Sequence, residues 1–432
     1  MNLKHQTRQL EEEVNRIPIF DTHEHLMYEY ERRQQHIDFF HLFKHYASTD
    51  LISSGMSPKD FTILQDPEID LEQKWKLFEP HWKNIENTTY SRTIAAALED
   101  LYGIDEINFD SAKKVTEAMK KNQETDFYSK VISLKANIEY MLNDLDALEQ
   151  HDITQTEPDA PYFLPVFRPD LLFDINSVEK LEKLEQKYGQ SIYSMDDFID
   201  LVESIFEQRR DKLFGLKIGT AYFRNIDFED TTFYEAEKSL LQALNLNNYD
   251  GFAQGLNASE IKPFQDYMFH YCIRKAIDLN IPIQIHTGLL ESNLNDIRNS
   301  DPTYLCPVIS KYGRARFDIF HAGYPYTDKL IAMVKMYRNC YFNLCWMAEV
   351  SVKLYMDILD RIIEILPSNK IFGFGGDYMF VEGCYGAQKN ARKAVSKVLA
   401  KRVDEGYFNS DQAIGFATKI LNTNPREIYL SR

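Results

Sequence analysis

Four short stretches carry side chains able to hold a cation. They are Asp21-Thr22-His23-Glu24-His25, Ile285-His286-Thr287-Gly288, Phe320-His321-Ala322-Gly323 and Gly375-Gly376-Asp377. Side chains of an extended segment alternate, so the two imidazoles of His23-x-His25 project to the same side. Two neutral imidazoles with a carboxylate make a borderline-hard donor set that suits Zn²⁺, with Mn²⁺, Fe²⁺ or Co²⁺ as alternatives. A cation held this way lowers the pKa of bound water towards about 7, and a neighbouring carboxylate can move the proton. Without a partner, Asp377 would merely cap the helix that follows it.

These stretches matter only if the chain brings them together. Each follows a short apolar run: Ile17–Phe20 before His23, Ile281–Ile285 before His286, Phe317–Phe320 before His321, and Ile371–Phe374 before Asp377. Four more runs (Ile138–Leu142, Tyr162–Phe167, Phe214–Ile218 and Cys340–Leu344) complete a set of eight, separated mostly by charged stretches of helical periodicity. Repeated β-α units of this number fit a closed parallel (β/α)₈ TIM barrel better than an open sheet, and a barrel opens the C-terminal ends of all its strands onto one face. The expected class is therefore α/β, a TIM barrel with a helical insertion after strand 1.

A barrel takes about 250 residues, so a chain of 432 must carry insertions. Residues 26–136 hold helix-like patterning and many aromatics, among them Trp75, Trp82 and Tyr90, and read as a helical cap. A second insertion is expected at 225–260. No linker or repeat divides the chain, so residues 1–432 read as a single domain with both insertions embedded.

The formal net charge of −17 argues against nucleic acid as a partner. Neither an apolar leader nor an apolar run of membrane-spanning length is present, which gives the expectation of a cytoplasmic protein without membrane association. Five cysteines without Cys-x-x-Cys spacing read as buried free thiols. The partner is then a small-molecule substrate, and the aromatic insertions are compatible with a homo-oligomer.

On these motifs the chain resembles the amidohydrolase superfamily, specifically the amidohydrolase-2-type branch without a flanking β-sandwich, for which Asp21–His25 lies too near the N-terminus. The closing Asn422-Thr423-Asn424-Pro425-Arg426-Glu427-Ile428-Tyr429 is similar to the start of that branch's terminal helix. The resemblance implies that His23, His25, His286 and Asp377 bind the metal, that Asp377 also handles a proton, and that His321 orients water or polarises the substrate. At the position of Lys217, some members carry a carboxylated lysine bridging two metals and others a cation that holds an anionic substrate. Tyr222 and Arg224 share its loop, which favours substrate binding by Lys217, Tyr222 and Arg224 and a single metal ion.

The leading expectation is a metal-dependent hydrolase acting on a small, polar, anionic substrate through an activated water. The same site would also serve a decarboxylase or a sugar-acid isomerase; such isomerases usually lack the strand-five histidine, so His286 counts against that alternative. A non-catalytic binding domain is the third reading. Weaker candidates are His41 and His45 at i, i+4, read as a solvated or core face, and Tyr324, Tyr326, Arg92 and Trp82 as pocket-lining side chains. Gly373–Tyr378 lacks the third glycine of a dinucleotide loop.

Overall fold

A computed structural model describes residues 3–122, 126–144, 161–245 and 257–431. Its eight strands are β1 (Ile19–Glu24), β2 (Ile138–Asn143), β3 (Phe163–Phe167), β4 (Gly215–Ile218), β5 (Ile283–Ile285), β6 (Phe317–Ile319), β7 (Cys340–Asn343) and β8 (Ile371–Phe372). They pair in parallel in the order β1 to β8. Each falls on an expected apolar run. The difference lies at β1, which continues through the polar Asp21–Glu24 because those residues, too, are buried.

Between β8 and β1 the barrel closes by backbone hydrogen bonds just past the end of β8. Thr22 N–H donates to Phe374 O (3.1 Å), Asp377 N–H to His23 O (2.8 Å) and His25 N–H to Tyr378 O (2.9 Å). Glycine is required here: a Cβ on Gly376 would stand 2.0 Å from Glu24 Oε1, and one on Gly375 would stand 2.7 Å from both Cys345 Sγ and Thr22 Oγ1. At the opposite mouth the terminal helix Asn424–Leu430 inserts Tyr429 among Phe20, Leu142, Leu164, Val166 and Phe372. Inside the barrel Tyr429 OH donates to Asp318 Oδ2 (2.6 Å), and Asn343 Nδ2 donates to the same oxygen (2.9 Å). These contacts satisfy Asp318 Oδ2, while the buried Asp318 Oδ1 and Gln284 Oε1 have no hydrogen-bond partner.

The stretch between β1 and β2 is helical and has a core of its own. In the helix Leu71–Ile85, Asp70 caps the N-terminus by accepting from Glu72 N and Gln73 N. Trp75, Phe78, Trp82 and Ile85 recur at spacings of three and four and form its buried face, packing with Phe39, Phe40 and Phe43. In the 225–260 stretch the helix Phe233–Asn245 packs on Ala258–Asp278; the remainder of that expected insertion, residues 246–256, lies outside the described residues.

One buried ion pair fastens the cap to the barrel. Arg32, on the cap helix Glu29–Gln34, donates through both terminal nitrogens to Glu382 (2.9 and 2.5 Å), which also accepts from Tyr102 OH (2.6 Å). Removing one member of a buried pair strands the other charge, at a cost of about 3–5 kcal/mol. Glu382→Ala is therefore expected to lower the unfolding free energy by about 3 kcal/mol or more in urea titration, and a loss below about 0.5 kcal/mol, the range of ordinary surface substitutions, would contradict the role assigned to this contact.

Candidate metal centre and substrate cavity

His23 and His25 leave β1 on the cavity side, while Asp21 and Glu24 turn towards the segment after β8. Asp21 Oδ1 accepts from His23 N (3.1 Å) and Gly376 N (3.3 Å), and Glu24 Oε2 accepts from Tyr378 N (2.7 Å). These contacts hold Asp377 from both sides, with its backbone in the left-handed region (φ 59°), a conformation that costs free energy and is kept where surrounding structure over-determines it.

The result is a three-donor cluster. Asp377 Oδ1 lies 3.1 Å from His25 Nε2 and 3.5 Å from His23 Nε2, and one donor atom from each residue can share a single centre. His25 Nδ1 sits 3.0 Å from Asp144 O; donating there, it leaves Nε2 as a lone pair aimed at the carboxylate. Neither nitrogen of the fully buried His23 has a hydrogen-bond partner. Lone pairs converging in a dry site without a donor are costly, and a divalent cation removes that cost. The donor set fits one.

The electrostatics agree. Burial would raise the Asp377 pKa, but the hydrogen bond with His25 and the surrounding imidazoles hold it well below the usual carboxylate range. Burial, assisted by Lys217, keeps His23 neutral by pushing its pKa well down. Burial acts the same way on His25, but there Asp377 and Asp144 outweigh it and leave the pKa raised. Among the unmetallated groups, His25 and Asp377 thus share the proton that a cation would displace.

The structure does not bring His286 into this cluster. Its Nε2 is 2.8 Å from Leu289 O and its Nδ1 3.1 Å from His321 Nε2, so both nitrogens are engaged elsewhere. His321 in turn meets Cys345 O through Nδ1 (3.1 Å) and stands 3.7 Å from Asp377 Oδ2. His286 is not among the donors that stand together with His23, His25 and Asp377; it packs beside them on the cavity wall.

Above the cluster lies a cavity of about 310 Å³ lined by His25, Lys44, His45, Tyr46, Arg168, Lys217, Tyr222, His286, Glu291, Asp377 and Met379. Lys217 and Tyr222 reach it as expected. Lys217 Nζ rests 3.7 Å above the Phe320 ring, and burial lowers its pKa to about 8. Arg224 does not reach the cavity: its guanidinium is held by Gln265 Oε1 (2.7 Å), Asp266 Oδ1 (2.5 Å) and Asn225 O (3.0 Å), because the 3₁₀ turn Thr220–Tyr222 rotates the loop and sends Tyr222 and Arg224 in different directions. Arg168 supplies the cation on that side. It ends β3 as Asp144 ends β2, and the same rule that singled out His23, His286 and Asp377, a polar residue just past an apolar run, would have found both.

The cap contributes Lys44, His45 and Tyr46. His45 is no solvated face: it is buried, its ring centroid is 6.4 Å from that of His25, and burial lowers its pKa to about 3. Tyr46 stacks on Trp346 with centroids 4.4 Å apart. Among the weaker candidates, His41 bonds instead to Asp38 (3.1 Å), Trp82 is packed in the cap core, Tyr326 OH donates to Ile297 O (3.2 Å), and Arg92 is exposed.

Residues 1–300 match the family model described as glucuronate isomerase, and residues 222–430 the one described as amidohydrolase. Protein fluG of Emericella nidulans is 30% identical over 179 residues, covering 39% of this chain and 20% of its own length. A uronate isomerase of Caldanaerobacter subterraneus subsp. tengcongensis is 28% identical over 222 residues, covering 49% of this chain and 43% of its own length. The chain thus matches less than half the length of these curated relatives. The fold of the Thermotoga maritima uronate isomerase superposes with a TM-score of 0.73 at 15% identity, over 98% of this chain and 97% of that one. The glucuronate isomerase of Caulobacter crescentus gives 0.74 at 17% identity, over 99% and 94%. These matches overturn the expectation of a hydrolase in favour of the sugar-acid isomerase alternative. On the match over residues 1–300, the chain belongs to the glucuronate isomerase family of the amidohydrolase superfamily.

Proposed function

We propose that this chain interconverts the aldose and ketose forms of a sugar acid of the uronate class, using one divalent metal held by His23, His25 and Asp377, with Zn²⁺ the best fit to two imidazoles and a carboxylate. The observation that carries this reading is the family match over residues 1–300, because that segment includes both metal-binding histidines and the cap residues Lys44, His45 and Tyr46 that roof the cavity.

When bound, the metal supplies positive charge that polarises a carbonyl or hydroxyl oxygen of the substrate. The chain's own groups do the rest. An aldose becomes a ketose when a proton leaves C2 and one arrives at C1, with the hydroxyl proton passing from O2 to O1, so no water is consumed. Asp377, held ionised beside the imidazoles, is the group placed to take and return a proton. Lys217, still largely protonated at pH 7 with a pKa of about 8, and Arg168 anchor the substrate carboxylate. Tyr222 OH accepts from Glu291 N (3.2 Å), which leaves its own proton free to donate into the cavity. The cap residues Lys44, His45 and Tyr46 line the cavity, and excluding water there would protect an enediol from side reactions.

Metal-loaded protein incubated with D-glucuronate or D-galacturonate is expected to yield the corresponding ketose, with solvent deuterium entering at the transferred position where exchange competes with transfer; ¹H NMR reads both. Recovery of unchanged substrate from every uronate tried would refute the assignment. Asp377→Asn should lower kcat by about 10²–10⁴-fold, the usual worth of a positioned acid–base group.

The ligand assignment has its own readout, metal content per chain after dialysis. His23→Ala and His25→Ala should bring it close to zero, whereas His286→Ala should leave it near one. Metal lost from the His286→Ala protein to the same degree would restore that residue as a ligand.

A further inference from the structure

Two carboxyls line the cavity among the described residues, Asp377 and Glu291, and the reaction described above uses only the first. Glu291 sits in the segment after β5; two contacts fix its own backbone, and the Asn293 side chain fixes the segment from a third side. Its N–H donates to Tyr222 OH (3.2 Å), its carbonyl accepts from Asn295 Nδ2 (2.5 Å), and Asn293 Nδ2 reaches Thr49 O (3.4 Å) and Ser53 Oγ (3.1 Å) on the cap helix Tyr46–Ser53. The segment therefore ties the β4 loop to the cap. It holds Ser292 and Leu294 in the left-handed region (φ 73° and 70°), and such backbone in residues other than glycine is kept where the placement of a neighbour is worth its cost.

The side chain is set as firmly. Ser292 Oγ donates to Glu291 Oε2 (2.5 Å), and an ionised carboxyl has about four acceptor positions, so capacity remains on the cavity side. Burial raises the Glu291 pKa, and the charge on Asp377 raises it further. A half-desolvated acid in an anion-binding cavity is unfavourable unless the bound molecule offers it donors. A substrate carboxylate placed there would add a third negative charge. Sugar hydroxyls would instead donate to it, in charge-assisted hydrogen bonds stronger than neutral ones.

We infer that Glu291 is a substrate-binding residue that accepts hydroxyl groups of the sugar-acid chain and, by repelling the substrate carboxylate, turns it towards Arg168 and Lys217. This rests on the isomerase reading for the identity of the substrate. It makes Glu291 a determinant of which polyhydroxy acids bind and in which direction.

The test is a panel of D-glucuronate and its 3-, 4- and 5-deoxy analogues, with steady-state kinetics of wild type, Glu291→Gln and Glu291→Ala, each checked for metal content and Tm. Glu291→Ala is expected to raise KM for glucuronate about 10- to 100-fold, the worth of one or two hydrogen bonds to a charged group, with kcat within about threefold. For the analogue lacking the contacted hydroxyl, the penalty should shrink below about threefold. Glu291→Gln, which keeps the shape and one acceptor, should lie between and stands in if the alanine variant loses metal or stability. An equal penalty across the panel, or none, overturns the inference. If wild type isomerises no member, the isomerase reading falls by itself; the shift in Tm of the metal-loaded proteins with the same compounds then decides Glu291, since the same hydroxyl-dependent difference supports its role and identical shifts overturn it.

Discussion

The closure of the barrel between β1 and the segment after β8 is the constraint on which the site depends. Three backbone hydrogen bonds stitch Thr22, His23 and His25 to Phe374, Asp377 and Tyr378, and the glycine pair lets the two segments approach to a distance no side chain would allow. The same stitch that completes the sheet brings a carboxylate from one end of the chain to two imidazoles from the other. Fold closure and ligand convergence are here one event, so a change that opens the seam disperses the donors even if every donor is retained.

Convergence creates an electrostatic problem that the surroundings resolve by degrees. Two imidazole lone pairs and a carboxylate oxygen within 4.8 Å of one another repel in a dry environment. Asp144 fixes the tautomer of His25 through its carbonyl, Lys217 depresses the pKa of His23, and a cation completes the balance. His286 and His321 form their own chain of contacts ending at Leu289 O and Cys345 O.

Much of this was legible in the sequence because strands are short, buried and followed at once by their functional residues. All eight runs, the helical insertion after β1 and the strand-end placement of His23, His25 and Asp377 followed from apolar runs and their periodicity, whereas Lys217 and Tyr222 were singled out by the family resemblance; both line the cavity. What failed did so where geometry is set by loops. Arg224 follows a 3₁₀ turn, whose rotation per residue differs from that of a strand, and it was captured by Asp266 from a helix more than forty positions away. His286 stands at the expected strand end, where its nitrogens meet a neighbouring carbonyl and a neighbouring imidazole, contacts that no spacing encodes. Lys44, His45 and Tyr46 escape the strand-end rule altogether, because they descend from a cap whose helices pack on their own aromatic core.

Lys217 shows how the count of metals and the role of a side chain determine each other. A lysine bridges two metals only after its neutral amine has taken up CO₂ to form an anionic carbamate, and only if a second metal has ligands. The strand-five histidine that would serve it is already engaged on both nitrogens. Meanwhile the Lys217 amine lies over the face of Phe320, where the ring quadrupole favours the ammonium form, and its pKa of about 8 leaves that form dominant at neutral pH. One metal and a charged Lys217 are thus mutually consistent. Lys44, Arg168 and Lys217 line the cavity beside Asp377, so cationic side chains gather at the strand ends of a chain whose formal net charge is −17.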